Sequence, residues 1–473
     1  MSRRGLALAA LASVVALLAP GAAAANGIGG IRDLPVPGWL FLVAGATVLV
    51  VSFVALGVLW RTPKLREGHG WPLPVGFQRA VLSPWTRRVV QTLALVLFVL
   101  VWSAAAFGAN LGTDNIAPVF VYVTFWVGVT FASAVLGDVW SALNPWRAAA
   151  DCIAWTARRA GWARQPRPYP ETLGVWPGAL LLAAFIVLEL VWENRAEPRT
   201  MAWAILAYSV CNWTGMLAYG RREWIENGDG FAVYFGFLAR LGLFATREGA
   251  GGRELYVRQP LSGLVRVERR PGAVALLAVM LGSVAFDGLS RSNWWLSRIY
   301  NVETRFNDPA KAKWAVELFN FLGLVLVILV AAAAYLFAVK LAEHAAGGRI
   351  DFHGVFLLSL VPIAAVYVFS HYFTYLLIQG QFLIPRLSDP YGRGWDLFGS
   401  ADFQPNLTLL TPNLTWYVQV SVLVAGHVLA LMVAHDRAID LCPSPRVALR
   451  TQYAMLGLMV LYTVGGMWLL SLG

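Results

Sequence analysis

HGVFLLSLVPIAAVYVFSHYFTYLLIQGQ (353–381) and WYVQVSVLVAGHVLALMVAHDRA (416–438) decide how this chain is read. Both are runs of Leu, Val, Ala and aromatic residues longer than the roughly 20 residues that cross the hydrocarbon core of a bilayer. Together they hold four of the six histidines: His353, His371, His427 and His435. An ionisable group at membrane depth is costly to keep, which makes it a functional candidate. The two stretches are read as spanning helices joined by an external loop, and as one wall of any site the protein has.

Working outward, the same apolar pattern recurs along the chain. Ten spans are expected, at about 38–60, 89–108, 117–142, 175–193, 201–220, 271–288, 314–340, 354–379, 413–435 and 451–471. Hydrophobic residues make up 58% of the 473 and charged residues 13%. An ordinary soluble domain carries about 25% charged residues. Mean hydropathy is +0.61. These values exclude a soluble enzyme or a disordered protein. The fold class expected is all-α, a polytopic membrane helix bundle in a single domain over 26–473, embedded in the lipid bilayer.

Residues 1–25 have the pattern of a cleavable signal peptide: Arg3 and Arg4, an apolar run, then GAAAA. The mature N-terminus is then outside the cytoplasm. With that start, the expected cytoplasmic segments (chiefly 61–88, 143–174 and 221–270) carry 25 Lys and Arg, and the external ones 10. This follows the positive-inside rule and places the basic excess on the cytoplasmic face. The net charge of +11 therefore needs no nucleic acid to explain it. The expected location is a bacterial inner membrane. Residues 145–170 read as an amphipathic surface helix, and GRELYVRQPLSGLVRVERRPG (252–272) as a small β-hairpin. The external loops 289–313 and 380–412 are expected to cap the bundle.

Polar residues sort into two depths. Toward the outside lie Glu189, Asp287, Glu317, Asn115 and His371, with Tyr375 one turn from His371. Two carboxylates and an imidazole can bind a divalent metal or act as general base and orienting acid, so His371, Asp287 and Glu189 are the candidate catalytic and metal-binding set. Toward the inside lie His427, His435 and Asp436. His435-Asp436-Arg437 is read as an interfacial anchor. His427 and His371 on one haem would make a membrane cytochrome. Their difference in depth, roughly 10 Å by helical rise, disfavours that arrangement. Two separated polar clusters also suit a transporter or permease.

Several stretches resemble a bacterial membrane-protein family called fenitrothion hydrolase. They are GIGGIRDLPVPGWLF (27–41), NIAPVFVYVTFWVG (115–128), LNPWR (143–147), EPRT (197–200), NGDGFAVYFGFLARL (227–241), SVAFDGLSRSNWW (283–295), HYFTYLLIQGQ (371–381) and GHVLALMVAHDRA (426–438). The likeness covers almost the whole mature chain, in order. It implies hydrolysis of an organophosphate phosphotriester, an apolar small-molecule substrate. Asn26 stands where the resemblance leads one to expect a histidine. Three function classes follow: hydrolase, transporter or accessory subunit, and haem- or metal-handling subunit.

Overall fold

The computed structural model describes residues 38–161, 165–249, 252–348 and 350–472. The expected signal peptide lies outside the described residues, as do Asn26 and most of the resemblance at 27–41. The helices used below are α1 (Gly38–Leu59), α2 (Pro84–Phe107), α3 (Ile116–Leu136), α4 (Pro145–Arg159), α5 (Trp176–Leu190), α6 (Pro198–Tyr219), α7 (Gly230–Leu238), α8 (Ala273–Ser290), α9 (Pro309–Ala345), α10 (Val361–Gln379), α11 (Pro412–Leu441) and α12 (Pro445–Leu472). Among the described residues, eight helices are long and apolar enough to cross a membrane: α1, α2, α3 and α8 to α12. The architecture is that of an all-α, multi-pass membrane protein.

Two of the ten expected spans are not among those eight. Helix α5 has 15 residues, about 23 Å at 1.5 Å per residue and short of a 30 Å core. It ends at Leu190, and Glu193–Ala196 follow as a tight 3₁₀ turn. Helix α6 has 22 residues but carries Arg199, Asn212 and two tyrosines, which dilute its apolar character.

Local sequence sets the boundaries. Ser83 and Thr411 cap α2 and α11 by accepting from the backbone N–H three residues on, and a proline follows each cap. These are the residue types that satisfy the free N–H groups of a first turn. Within α3, Val119–Val129 wind as a π-helix, a rare wide form associated with functional sites.

Helix α8 is the hub. It packs on α5, α9, α10 and α12, and 72% of it is buried, against 17–44% for the other spans. Its sequence, AVALLAVMLGSVAFDGLS, is rich in small residues. At Gly282 a Cβ would lie 2.8 Å from the Ile328 Cα. The α8 and α9 backbones therefore approach as closely as only glycine permits.

The surface helix expected over 145–170 forms as α4 and ends at Arg159. The β-hairpin is displaced from its expected place. Its strands are β2 (Phe244–Gly249) and β3 (Gly252–Arg258), and β1 (Gly70–Pro72) adds an edge on β3 to make a three-stranded antiparallel sheet. The stretch after Arg258 leaves the sheet because Pro260 cannot donate to a ladder.

Candidate functional site

Asp287 lies 14 residues along α8 from Ala273, about 21 Å from its arginine-rich start. Its side chain is 5% exposed. A bare carboxylate there would be prohibitive, so its oxygens need donors. Helix α10 supplies two: His371 donates from Nε2 to Asp287 Oδ2 at 2.6 Å, and the Tyr372 hydroxyl donates to the same oxygen at 2.8 Å. One turn along α8, the Arg291 guanidinium lies 3.0 Å from Oδ1. The i, i+4 spacing sets that approach.

With Nε2 committed to the carboxylate, Nδ1 of His371 is left without a protein partner among the described residues. The side chain is 13% exposed. Arg291 is 61% exposed and forms the rim. An imidazole fixed by a carboxylate through one nitrogen and open at the other is the arrangement that makes histidine a general base.

The structure brings together His371 and Asp287, two of the three residues of the candidate set. Tyr372 was not anticipated; the tyrosine expected below His371 was Tyr375, one turn on. Tyr375 is 39% exposed and makes no hydrogen bond to Asp287. The signal for Tyr372 was present in the dipeptide His371-Tyr372. Two neighbours on a helix can straddle a single carboxylate that faces the gap between them.

Glu189, near the end of α5, is within electrostatic reach of Asp287, Arg195 and Arg291 and lies beside Trp126. Its Oε2 is enclosed and has no partner among the described residues. It does not close a three-ligand set. The only group of three described His, Cys, Asp or Glu side chains with donor atoms within 4.8 Å of one another is Glu343, Asp351 and His353, at the other end of the bundle. The Asp287 oxygens are also filled by an imidazole, a phenol and a guanidinium. The residues present therefore do not fit a divalent metal at His371, Asp287 and Glu189.

Two further candidates are structural. Asn115 is 1% exposed and caps α3, accepting from Ala117 N and donating to the Ala104 and Ala109 carbonyls. Glu317 accepts from the Glu193 backbone N–H at 3.2 Å, tying α9 to the turn after α5.

The inner set is not the interfacial anchor expected. His435 and Asp436 are 1% and 0% exposed, and Arg437 is 8%. His435 Nδ1 meets Gln452 Oε1 at 2.7 Å, and its Nε2 meets the Trp60 carbonyl at 3.0 Å. Asp436 Oδ1 accepts from Trp60 Nε1, Lys64 N and Leu65 N at 3.0, 2.6 and 3.3 Å. Arg437 donates to the Val265 carbonyl and to Asp440. The triplet fastens the end of α1 to α11 and α12.

His427 lies between the two sets and is fully buried. Its Nδ1 meets the Leu423 carbonyl at 2.8 Å, and the Tyr367 ring stands edge-on at 6.0 Å. No hydrogen bond among the described residues links it to His371 or His435. The polar path that transport would use is therefore not connected through His427. Joint haem ligation with His371 would first require His371 Nε2 to leave Asp287 or Nδ1 to take the iron.

Compared with protein-family models, curated proteins and solved structures, the chain matches none.

Proposed function

We propose that this protein is a membrane-embedded hydrolase of apolar phosphotriesters, with His371 as general base and Asp287 as the group that orients it. One observation carries the reading: the 2.6 Å contact from His371 Nε2 to a buried carboxylate, which leaves Nδ1 as the free basic nitrogen. The resemblance to fenitrothion hydrolases supports the substrate class. In the fuller reading the chain crosses a bacterial inner membrane ten times, with the mature N-terminus and the Asp287 end of the bundle outside.

The chemistry needs no metal. Nδ1 takes a proton from water as the water oxygen attacks phosphorus. The bond from phosphorus to the aryl oxygen then breaks. The aryloxide leaves, protonated by the imidazolium formed in the first step, and a phosphodiester acid remains. Arg291, at the rim, can face negative charge growing on the non-bridging oxygen of a phosphotriester or the non-bridging sulfur of fenitrothion. Glu189 Oε2 is a second acceptor close to the dyad and can hold the attacking water. An apolar aryl phosphotriester concentrates in the bilayer and reaches the site from the membrane side.

The test is turnover of fenitrothion by the purified full chain in detergent. Wild type should hydrolyse it, chelator should leave the rate unchanged, and His371→Ala should remove it in a protein that still folds, with a melting temperature lowered by the lost Asp287 contact. Wild type without turnover, or His371→Ala with full turnover, overturns the reading.

A further inference from the structure

Two cavities meet at the arginine-rich end of the bundle, and neither belongs to the His371 site. The first, about 560 Å³, lies among α2, α3, α5 and α6 and is lined almost wholly by apolar side chains. Its size is within the range of small-molecule sites. Of its few polar groups, the Tyr208 hydroxyl is already spent on Asp229 at 2.7 Å. The lining offers a ligand chiefly hydrocarbon contact.

The second, about 1420 Å³, is a polar vestibule lined by seven arginines and five acidic residues. Arg222, Arg240 and Arg270 are paired with Glu226 and Glu268. Arg147, Arg167, Arg266 and Arg269 make no ion pair among the described residues. At half-buried Arg147, burial lowers the guanidinium's affinity for its proton, and the nearby cations Arg87, Arg221 and Arg253 lower it further. The vestibule has more positive charge than its own carboxylates neutralise.

Two motifs singled out in the sequence form the partition. Along LNPWR (143–147), Leu143, Pro145 and Trp146 face the apolar cavity, while Asn144 and Arg147 face the vestibule. In NGDGFAVYFGFLARL, Phe231 faces the cavity, and Phe237 and Arg240 the vestibule. Asn144 donates to Asp229 Oδ2 at 2.9 Å, which locks the two motifs together. Trp140 lines both chambers. It is 5% exposed, and its indole N–H has no acceptor among the described residues. A buried donor left unpaired is costly, which points to an acceptor supplied from outside the chain.

We propose that these chambers together bind a lipid with a phosphate headgroup, its hydrocarbon chain in the apolar cavity and its phosphate among the vestibule arginines beside Trp140. The apolar chamber is at membrane depth, where lipid chains are the abundant apolar solute. The excess cationic charge beside it selects an anionic head. This site does not depend on the hydrolase reading.

Native mass spectrometry of the full-length protein in detergent tests it, with phosphatidic acid, diacylglycerol of the same chains and inorganic phosphate as probes. Phosphatidic acid should be retained about tenfold better than diacylglycerol, and Arg266→Gln with Arg269→Gln should erase most of that preference. Ala204→Phe, which fills the cavity from α6, should reduce retention of both lipids alike. Equal retention of diacylglycerol and phosphatidic acid, or full retention in the Ala204→Phe protein, overturns the proposal. So does inorganic phosphate protecting wild type and Ala204→Phe equally from thermal unfolding, because that result describes a soluble-anion site. Arg266 and Arg269 line the vestibule and take no part in the His371–Asp287 contact, so fenitrothion turnover measured on the double arginine variant separates the two readings.

Discussion

The two ends of the bundle use the same residue types for opposite purposes. At one end Asp287 orients His371 and leaves one imidazole nitrogen open. At the other, both nitrogens of His435 are bonded and Asp436 Oδ1 holds three donors. Burial does not separate them, since both carboxylates are nearly inaccessible. The difference is unspent valence on the imidazole. A histidine with every nitrogen bonded to protein stiffens the fold. One with a nitrogen in reserve can move a proton.

The sharpest way to break this contrast is to remove the carboxylate at each end. Asp287→Asn should lower turnover by about 10²- to 10⁴-fold, because the imidazole loses its orientation and its charge partner. The amide still accepts one hydrogen bond, so the melting temperature should fall by less than in Asp436→Ala. Asp436→Ala should do the reverse. It strands the indole and two backbone N–H groups at about 1–3 kcal/mol each if none finds water. A large fall in melting temperature should accompany unchanged turnover per folded molecule. If Asp436→Ala silences a protein that melts normally, the inner cluster takes part in function and the contrast fails.

Tyr372→Phe sharpens the comparison within the first site. It removes one of Asp287's donors and leaves the His371 contact. The expected loss is about 1 kcal/mol of stability and a several-fold drop in rate, with the pH profile of turnover displaced. A silent variant would assign Tyr372 to packing.

What the sequence made legible was periodicity and depth. Apolar runs located the eight long spans, and placing polar residues along them brought Asp287 and His371 to one level. The remainder depended on packing that no linear pattern records. α5 stops three residues early because a tight turn at Glu193 and the Glu317 contact from α9 shape its exit. His435-Asp436-Arg437 resembles an anchor at a membrane boundary, yet the chain just after α1 folds over it from 371 and 372 residues away and removes it from solvent. The hairpin moved upstream because its partner strand is FATREG, whose charges hide its alternation. The partition between the two cavities was visible only as two motifs without a role.

The smallest expected effect concerns pH, and it compares two carboxylates outside the spans. Asp351 is on the surface, where the His353 backbone N–H (3.0 Å), then the His353 ring, hold its carboxyl below the usual range. A depressed folded value means the carboxylate contributes stability above the ordinary carboxylate range, and that contribution disappears as pH falls through the folded value. Asp229 is enclosed, and burial raises its carboxyl despite bonds from Tyr208, Asn144 and Ala232. A raised folded value has the opposite sign: the contribution is complete at low pH and is lost as pH rises through it. Melting curves from pH 3 to pH 7 should therefore flatten at the acid end in Asp351→Asn. In Asp229→Asn they should lose part of any decline toward neutrality. The Asp351 change should be small because exposed interactions are screened. The Asp229 change should be the larger of the two, and an equal response from both would mean that Asp229 is as open to water as Asp351.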